Sequence, residues 1–261
     1  MSRSSALRCA LVVTTLAILQ PPGLAQDRHT PEPTNVSLDV TDARPMAAAI
    51  TALEKRLGRV ITYEDPPYLY SPQIADVTAQ YSRNTASGRR ILVPNGGSFH
   101  FSFAPTSAAA ADDASAVLNA LLDEYNQSGN PGTFRLVQTG SLFHVVPAAT
   151  MDETGQSKHV SSLLDSTIAM DAEEHPALDA LQKVLSAASA ARGTKITVGA
   201  VPLNLFLQTR FRASSKEMIA RDAVIQILQA TGREWSWRLL CDPGAAGWCA
   251  LNLHAVSDKS L

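Results

Sequence analysis

The chain has almost no cysteine, no long basic run and no apolar stretch long enough to cross a bilayer, and each shortage removes a class of function. Cysteines number three, too few for a disulfide-built mini-domain or a multi-thiolate zinc module. The longest run of positive charge is Arg89-Arg90, so the concentrated cationic surface that nucleic acid requires is not expected. The longest apolar run, Cys9 to Leu19, falls well short of the roughly 20 residues of a transmembrane helix. No G-x-S-x-G elbow, H-E-x-x-H helix or phosphate-cradling glycine loop occurs, which leaves no recognisable catalytic motif and no expected cofactor or metal.

The apolar run has a different reading. Arg3 and Arg8 precede it and Gly23-Leu24-Ala25 follows it, the order of a basic n-region, an apolar core and a small-residue cleavage site. Residues 1–25 are therefore expected to be an export signal, placing the mature chain in the periplasm or outside the cell. A lipoprotein anchor would need a cysteine just after the apolar core, whereas Cys9 opens it. Without Arg3 and Arg8, 20 basic residues face 24 acidic ones. The mature chain is expected to be soluble, with no membrane span and no nucleic-acid partner.

Removal of the signal leaves Cys241 and Cys249, in the stretch CDPGAAGWC. The seven intervening residues are too many for a C-x-x-C redox motif, and His254, the nearest histidine, stands alone as a metal ligand. An even pair in an oxidising compartment reads as a disulfide staple. On its flanks, Trp235, Trp237 and Leu239 alternate with Ser236 and Arg238, and Leu251 and Leu253 with Asn252 and His254. Period-two alternation around a Pro-Gly turn predicts a hairpin with the staple at its root.

A second hairpin is written earlier in the chain. FRLVQTGSLFHVVP (134–147) matches the stapled region: Phe134-Arg135-Leu136-Val137 with Trp237-Arg238-Leu239-Leu240, and Phe143-His144-Val145-Val146 with Leu253-His254-Ala255-Val256. The match places His144 and His254 as one hairpin feature present twice, structural in role. Upstream, the stripes Ala114, Val117, Leu118, Leu121, Leu122, Tyr125 and Ala220, Ala223, Val224, Ile227, Leu228 have helical spacing. Ser214 with Glu217 suggests a capping box for the second of these helices. Before the helices, Phe99, Phe101 and Phe103 in one half and Leu207, Thr209 and Phe211 in the other predict alternating strands.

Each half opens with strand, helix, strand. The first helix carries Pro45 in its first turn with Met46, Ile50, Leu53 and Leu57 inward, and the second begins at Pro176 with Leu178, Leu181, Val184 and Leu185 inward. Glu173 and Glu174 before Pro176, and Asp112-Asp113 before the other helix, read as carboxylates complementing helix dipoles. The predicted fold class is α+β: two tandem strand-helix-strand-strand-helix-strand-strand modules, each a small sheet with two helices on one face. They span 34–148 and 164–257, joined by a polar linker at 149–163.

The pattern VSLDVTDARPMAAAITALEKRLGRVITYE, followed by a second helix and FRLV...LFHVVP, resembles the secretin and TonB short N-terminal domain, in two copies. That resemblance implies a periplasmic module of two helices against a small sheet that mediates protein contacts, with no catalytic residues. Two departures stand out: an insertion at 65–97, and no barrel segment after the second module.

The insertion holds the least generic residues. Tyr68, Tyr70 and Tyr81 lie in it beside Arg83, Arg89 and Arg90, and tyrosine and arginine are frequent interface anchors. Either the tyrosines pack back on their own module or the stretch presents a binding surface. The functional expectation is a non-catalytic envelope module that binds another envelope protein through this surface or a sheet edge. The alternative is a small-ligand or glycan-binding protein with a pocket between the modules. A third reading, a hydrolase, would need His144 or His254 to meet a carboxylate in a cleft.

Overall fold

The computed structural model describes residues 35–81, 90–104, 113–243 and 247–256. In the first half, β1 (Val36–Thr41), α1 (Pro45–Leu57) and β2 (Ile61–Glu64) lead into the insertion, which contributes β3 (Ile74–Asp76), α2 (Thr78–Tyr81) and β4 (Leu92–Pro94). Then follow β5 (Ser98–Phe103), α3 (Ala114–Gln127), β6 (Thr133–Thr139), β7 (Leu142–Met151) and β8 (Ser157–His159). The second half contains β9 (Thr167–Met170), β10 (Glu174–Pro176), α4 (Ala177–Arg192), β11 (Lys195–Val198), α5 (Leu203–Gln208) and β12 (Arg210–Arg212). It ends with β13 (Ser215–Ile219), α6 (Ala220–Ala230), β14 (Trp235–Cys241) and β15 (Trp248–Ala255). The fold is α+β.

The helices follow from the apolar stripes. Every residue of the two stripes predicted for α3 and α6 is buried, as are Met46, Ile50 and Leu53 of α1 and Leu178, Leu181, Val184 and Leu185 of α4. Gly58 and Gly193 end α1 and α4 at φ 59° and 67°, a left-handed conformation open to glycine without a Cβ penalty. Asp113 caps α3, accepting from the amides of Ser115 and Ala116. No such cap exists for α6, because Glu217 lies in β13 and the helix starts only at Ala220. The Ser214/Glu217 capping box is thus replaced by strand. Leu207 likewise belongs to the short helix α5, leaving only residues 210–212 of the expected alternation as strand.

Strand pairing has the same plan in both halves. β1 pairs antiparallel with β5, and β9 with β13. β2 runs parallel to β7, and β11 parallel to β15, each partner being the second strand of an antiparallel hairpin, β6–β7 or β14–β15. The expected pair of separate main sheets is not found. One seven-stranded sheet runs β11-β15-β14-β2-β7-β6, with β8 on β7. The halves join where β14 lies parallel to β2, Arg238 beside Tyr63 and Leu239 beside Glu64. All four residues of β2 are buried, as expected of a strand with a neighbour on each edge and cover on both faces.

Register also corrects the alignment of the hairpins. Phe134 pairs with Pro147 and Trp237 with Leu253, while Ile61 pairs with Phe143 and Ile196 with Cys249. Phe134-Arg135-Leu136 therefore does correspond to Trp237-Arg238-Leu239, but the counterpart of His144 is Ala250, not His254. The stapled turn is longer than its partner by three residues, since residues 243–247 stand where Gly140 and Ser141 make the first turn. Segment 149–163, expected as a plain linker, instead extends β7, turns at Asp152 and returns as β8.

Candidate functional site

Three neighbouring strands, β14, β2 and β7, are mutually parallel, and Cys241 and Asp65, at the carboxyl ends of β14 and β2, come level with Pro147 in the middle of β7. A cleft of about 550 Å³ opens there, lined by Tyr68, Lys158, Arg192, Asp242 and Trp248 among others. Its walls come from both halves and from the β8 segment between them. In open α/β sheets the carboxyl ends of parallel strands are the usual ligand position, and the same geometry recurs here on a mixed sheet.

Asp65 organises the cleft wall. Its buried carboxylate accepts from the hydroxyls of Tyr63 (2.7 Å) and Tyr68 (3.0 Å), from Arg44 Nε (2.7 Å) and from the Cys241 amide (2.9 Å). Its own amide donates to the Leu239 carbonyl, and Arg44 Nη2 reaches the Cys241 carbonyl at 2.8 Å. The stapled strand is thereby tied to the first half at the cleft edge. Burial, and next the Asp65 charge, push both tyrosine hydroxyls well above their ordinary pKa, so they stay donors. Burial opposes the Arg44 charge, but Asp65 outweighs it and holds the guanidinium above its usual value. The sequence offered no sign of this node, because Asp65-Pro66-Pro67 reads locally as a turn.

A second buried polar cluster spans the same seam. Glu64 accepts from Ser162 Oγ and from Arg221 Nη2 (2.8 Å), and Arg221 also pairs with Asp165. Glu64, Ser162 and Arg221 are almost wholly buried. Ser161 and Leu163 line the cleft, so this network lies directly behind its wall. Farther along the seam, Glu54 of α1 takes His254 Nε2 at 2.5 Å and the Ile61 amide at 3.1 Å. Burial would raise the Glu54 carboxyl, but His254 and Arg238 prevail and hold it below its ordinary range. A second cavity, of about 350 Å³, lies at the opposite ends of the same strands, with Val60, Leu142, Trp235 and Trp237 in its lining and Arg233 at its edge.

The predicted cysteine pair is bonded, Sγ to Sγ at 2.05 Å, across the paired positions of β14 and β15. The predicted Tyr/Arg surface is not one surface. Tyr68 is only 3% exposed and turned into the cleft wall against Asp65, so this tyrosine packs back on its own half. Tyr70 is half-buried against the Asp152 turn, where a Cβ on Gly155 would meet its ring at 3.0 Å. Tyr81 is 56% exposed. Arg90 is exposed and bonds Asp76 at 2.8 Å. The Thr78 hydroxyl and amide, followed by Arg90, lower the Asp76 carboxyl to about 2. Arg83 and Arg89 lie outside the described residues.

The two histidines singled out from the sequence sit apart from the cleft. His144 is fully buried, with Nδ1 2.8 Å from the Thr62 hydroxyl and its ring stacked on Trp237 at 5.2 Å. Burial, then the nearby Arg221 charge, drop its pKa to about 3. It stays neutral and has no path to a substrate. Neither His144 nor His254 lines the cleft. Glu173 and Glu174 lie in or beside β10 rather than in the first turn of α4, whose acidic residue is Asp179; Glu173 faces His175 instead, at 3.7 Å. Among the described residues, Asp171, Glu173 and His175 form the one group of three potential metal ligands.

No protein-family model, curated protein or solved structure matches this chain. Among the described residues, no helix is long and apolar enough to cross a membrane.

Proposed function

We propose that the chain is an exported, non-catalytic interaction protein of the cell envelope, periplasmic or secreted, made of two duplicated modules of the secretin and TonB short N-terminal type. The observation that carries the reading is the cleft at the carboxyl ends of β14 and β2, beside Pro147 of β7, framed by both halves and braced by Asp65 and the Cys241–Cys249 bridge. A bridge of this kind persists in an oxidising compartment, which supports export. The shared pairing plan of the two halves supports duplication. The partner is a polypeptide of another envelope protein, received against Trp248 and the exposed Lys158 and Arg192.

A photo-reactive amino acid in place of Trp248 tests this in envelope preparations of the producing cell. A discrete cross-linked adduct that disappears in the Lys158→Glu/Arg192→Glu double variant is the expected result. An adduct unchanged by the charge reversals would remove the cleft from the reading, and loss on Tyr81→Ala alone would move the site to the insertion.

The cleft volume also favours a second reading, a small ligand or glycan, because pockets for such molecules span about 300–1,000 Å³. Saturable tryptophan quenching by a saccharide or small molecule, lost in Trp248→Ala, would support that reading over the first.

A further inference from the structure

Asp171, Glu173 and His175 recur at every second position where a bend at Ala172 leads into β10. The Asp171 carboxylate accepts the Glu173 amide at 3.2 Å, and this turn brings the three electron-pair donors together. One ligand atom from each lies within 4.8 Å of the others. His175 Nε2 is 3.0 Å from Asp171 Oδ1 and 3.7 Å from Glu173 Oε2. Ligands at the roughly 2.0–2.1 Å bond lengths of zinc stand about 3.3 Å apart around a tetrahedron, which brackets these separations.

What already sits among them is a cation. Lys183 of α4 places Nζ 2.7 Å from His175 Nε2 and 3.0 Å from Asp171 Oδ2. With the ammonium donating to Nε2, that nitrogen presents a lone pair rather than a proton, and cannot also donate to Asp171. The imidazole and carboxylate lone pairs thus converge on one positive centre. A small cavity of about 40 Å³ is lined by all four side chains, with Phe211 and Val184 at its apolar side. The Lys183 side chain is half exposed, so it can swing out to solvent without disturbing the core.

We propose that Asp171, Glu173 and His175 form a zinc site in which the Lys183 ammonium holds the place of the metal. A mixed imidazole and carboxylate set selects zinc or a neighbouring transition ion over calcium and magnesium, which take oxygen donors. Three protein ligands leave one position for water or for a donor from a bound partner. The bound ion would brace the turn that leads into β10, in place of the Lys183 contact that now ties this turn to α4, a role independent of the cleft.

The test is calorimetric titration of the full mature chain, freed of metal, with zinc chloride. One ion per chain is expected. His175→Ala should weaken binding by more than about a hundredfold, beyond the 10–100-fold typical of losing a supporting residue. Lys183→Met should tighten it by about tenfold or more, since it removes the ammonium that the incoming ion must displace from His175 and Asp171. The second change is the informative one, because an unrelated surface histidine would not respond to Lys183. Nitrogen-15 spectra of the unsubstituted protein identify the ligand without any variant, and the His175 Nε2 resonance should shift on saturation. Absence of one-to-one binding, a response at His100 or His254 in place of His175, or affinity indifferent to Lys183→Met would each overturn the assignment.

Discussion

His144 carries a buried imidazole whose only polar partner is a hydroxyl, leaving Nε2 with no hydrogen bond. Its folded pKa of about 3 lies below the ordinary value of 6.5, so as pH falls the unfolded chain takes up the proton first. The stabilisation is complete above about pH 6.5 and declines steadily toward pH 3, by about 5 kcal/mol at most. Denaturant midpoints measured between pH 7 and 4 should fall steeply, and His144→Gln should flatten the slope. Asp65 makes a second prediction at this scale. Asp65→Ala strands Arg44 and two tyrosine hydroxyls, and should cost about 3–5 kcal/mol in urea unfolding. Tyr81, 56% exposed, should tolerate Tyr81→Ala within about 0.5 kcal/mol. None of these contrasts was legible in the sequence. Tyr63, Tyr68, Tyr70 and Tyr81 share a residue type and a neighbourhood, and only long-range contacts with Asp65 and Gly155 separate the inward from the outward ones.

Elements were far more legible than their partners. The spacing of Val117, Leu118, Leu121 and Leu122 fixes which face of α3 is buried, because a helix has one period and one core to face. The glycine stops and the Cys241–Cys249 hairpin were equally local. Failures occurred where two local signals competed. Leu207, Thr209 and Phe211 alternate like a strand, yet Pro202 can start a helix and Phe206 is fully buried from one. Ser214 and Glu217 have capping-box spacing, yet β9 claims that segment as a strand partner. Side-chain likeness aligns His144 with His254, whereas backbone register sets His144 level with Ala250, because pairing follows the backbone and not the side-chain type. The staple itself closes a short loop, and Cys241→Ser/Cys249→Ser should lower stability by about 2–3 kcal/mol. Thermal unfolding with and without reductant should give the same difference in the unsubstituted protein and none in the variant.

At the scale of the molecule, the seam is unusual in being both a β-ladder and a buried ionic network. Only two residue pairs join β14 to β2, and side chains continue the join: Ser236 Oγ and Arg238 Nη1 both donate to the Ile61 carbonyl, at 2.9 and 2.8 Å. Removing one side of the Glu64–Arg221 pair leaves an uncompensated buried charge. Arg221→Met alone should therefore cost about 3–5 kcal/mol, while Glu64→Leu/Arg221→Met together should cost much less. A double-mutant cycle by chemical denaturation checks the difference. This seam, and with it the cleft, was invisible to sequence reading because Glu64, Asp65, Ser162 and Arg221 lie far apart in the chain and carry no shared spacing. What the sequence did supply was the two cores on either side.

The parallel ladder at β2 also sets an order of events. A strand near residue 60 obtains its second neighbour only when the segment beginning at Trp235 arrives, so almost the entire polypeptide must be present before the sheet is complete around β2. A chain truncated after Gly232 should retain α1 and α3 but show rapid amide exchange along Ile61–Glu64, although every residue removed lies more than 160 positions downstream.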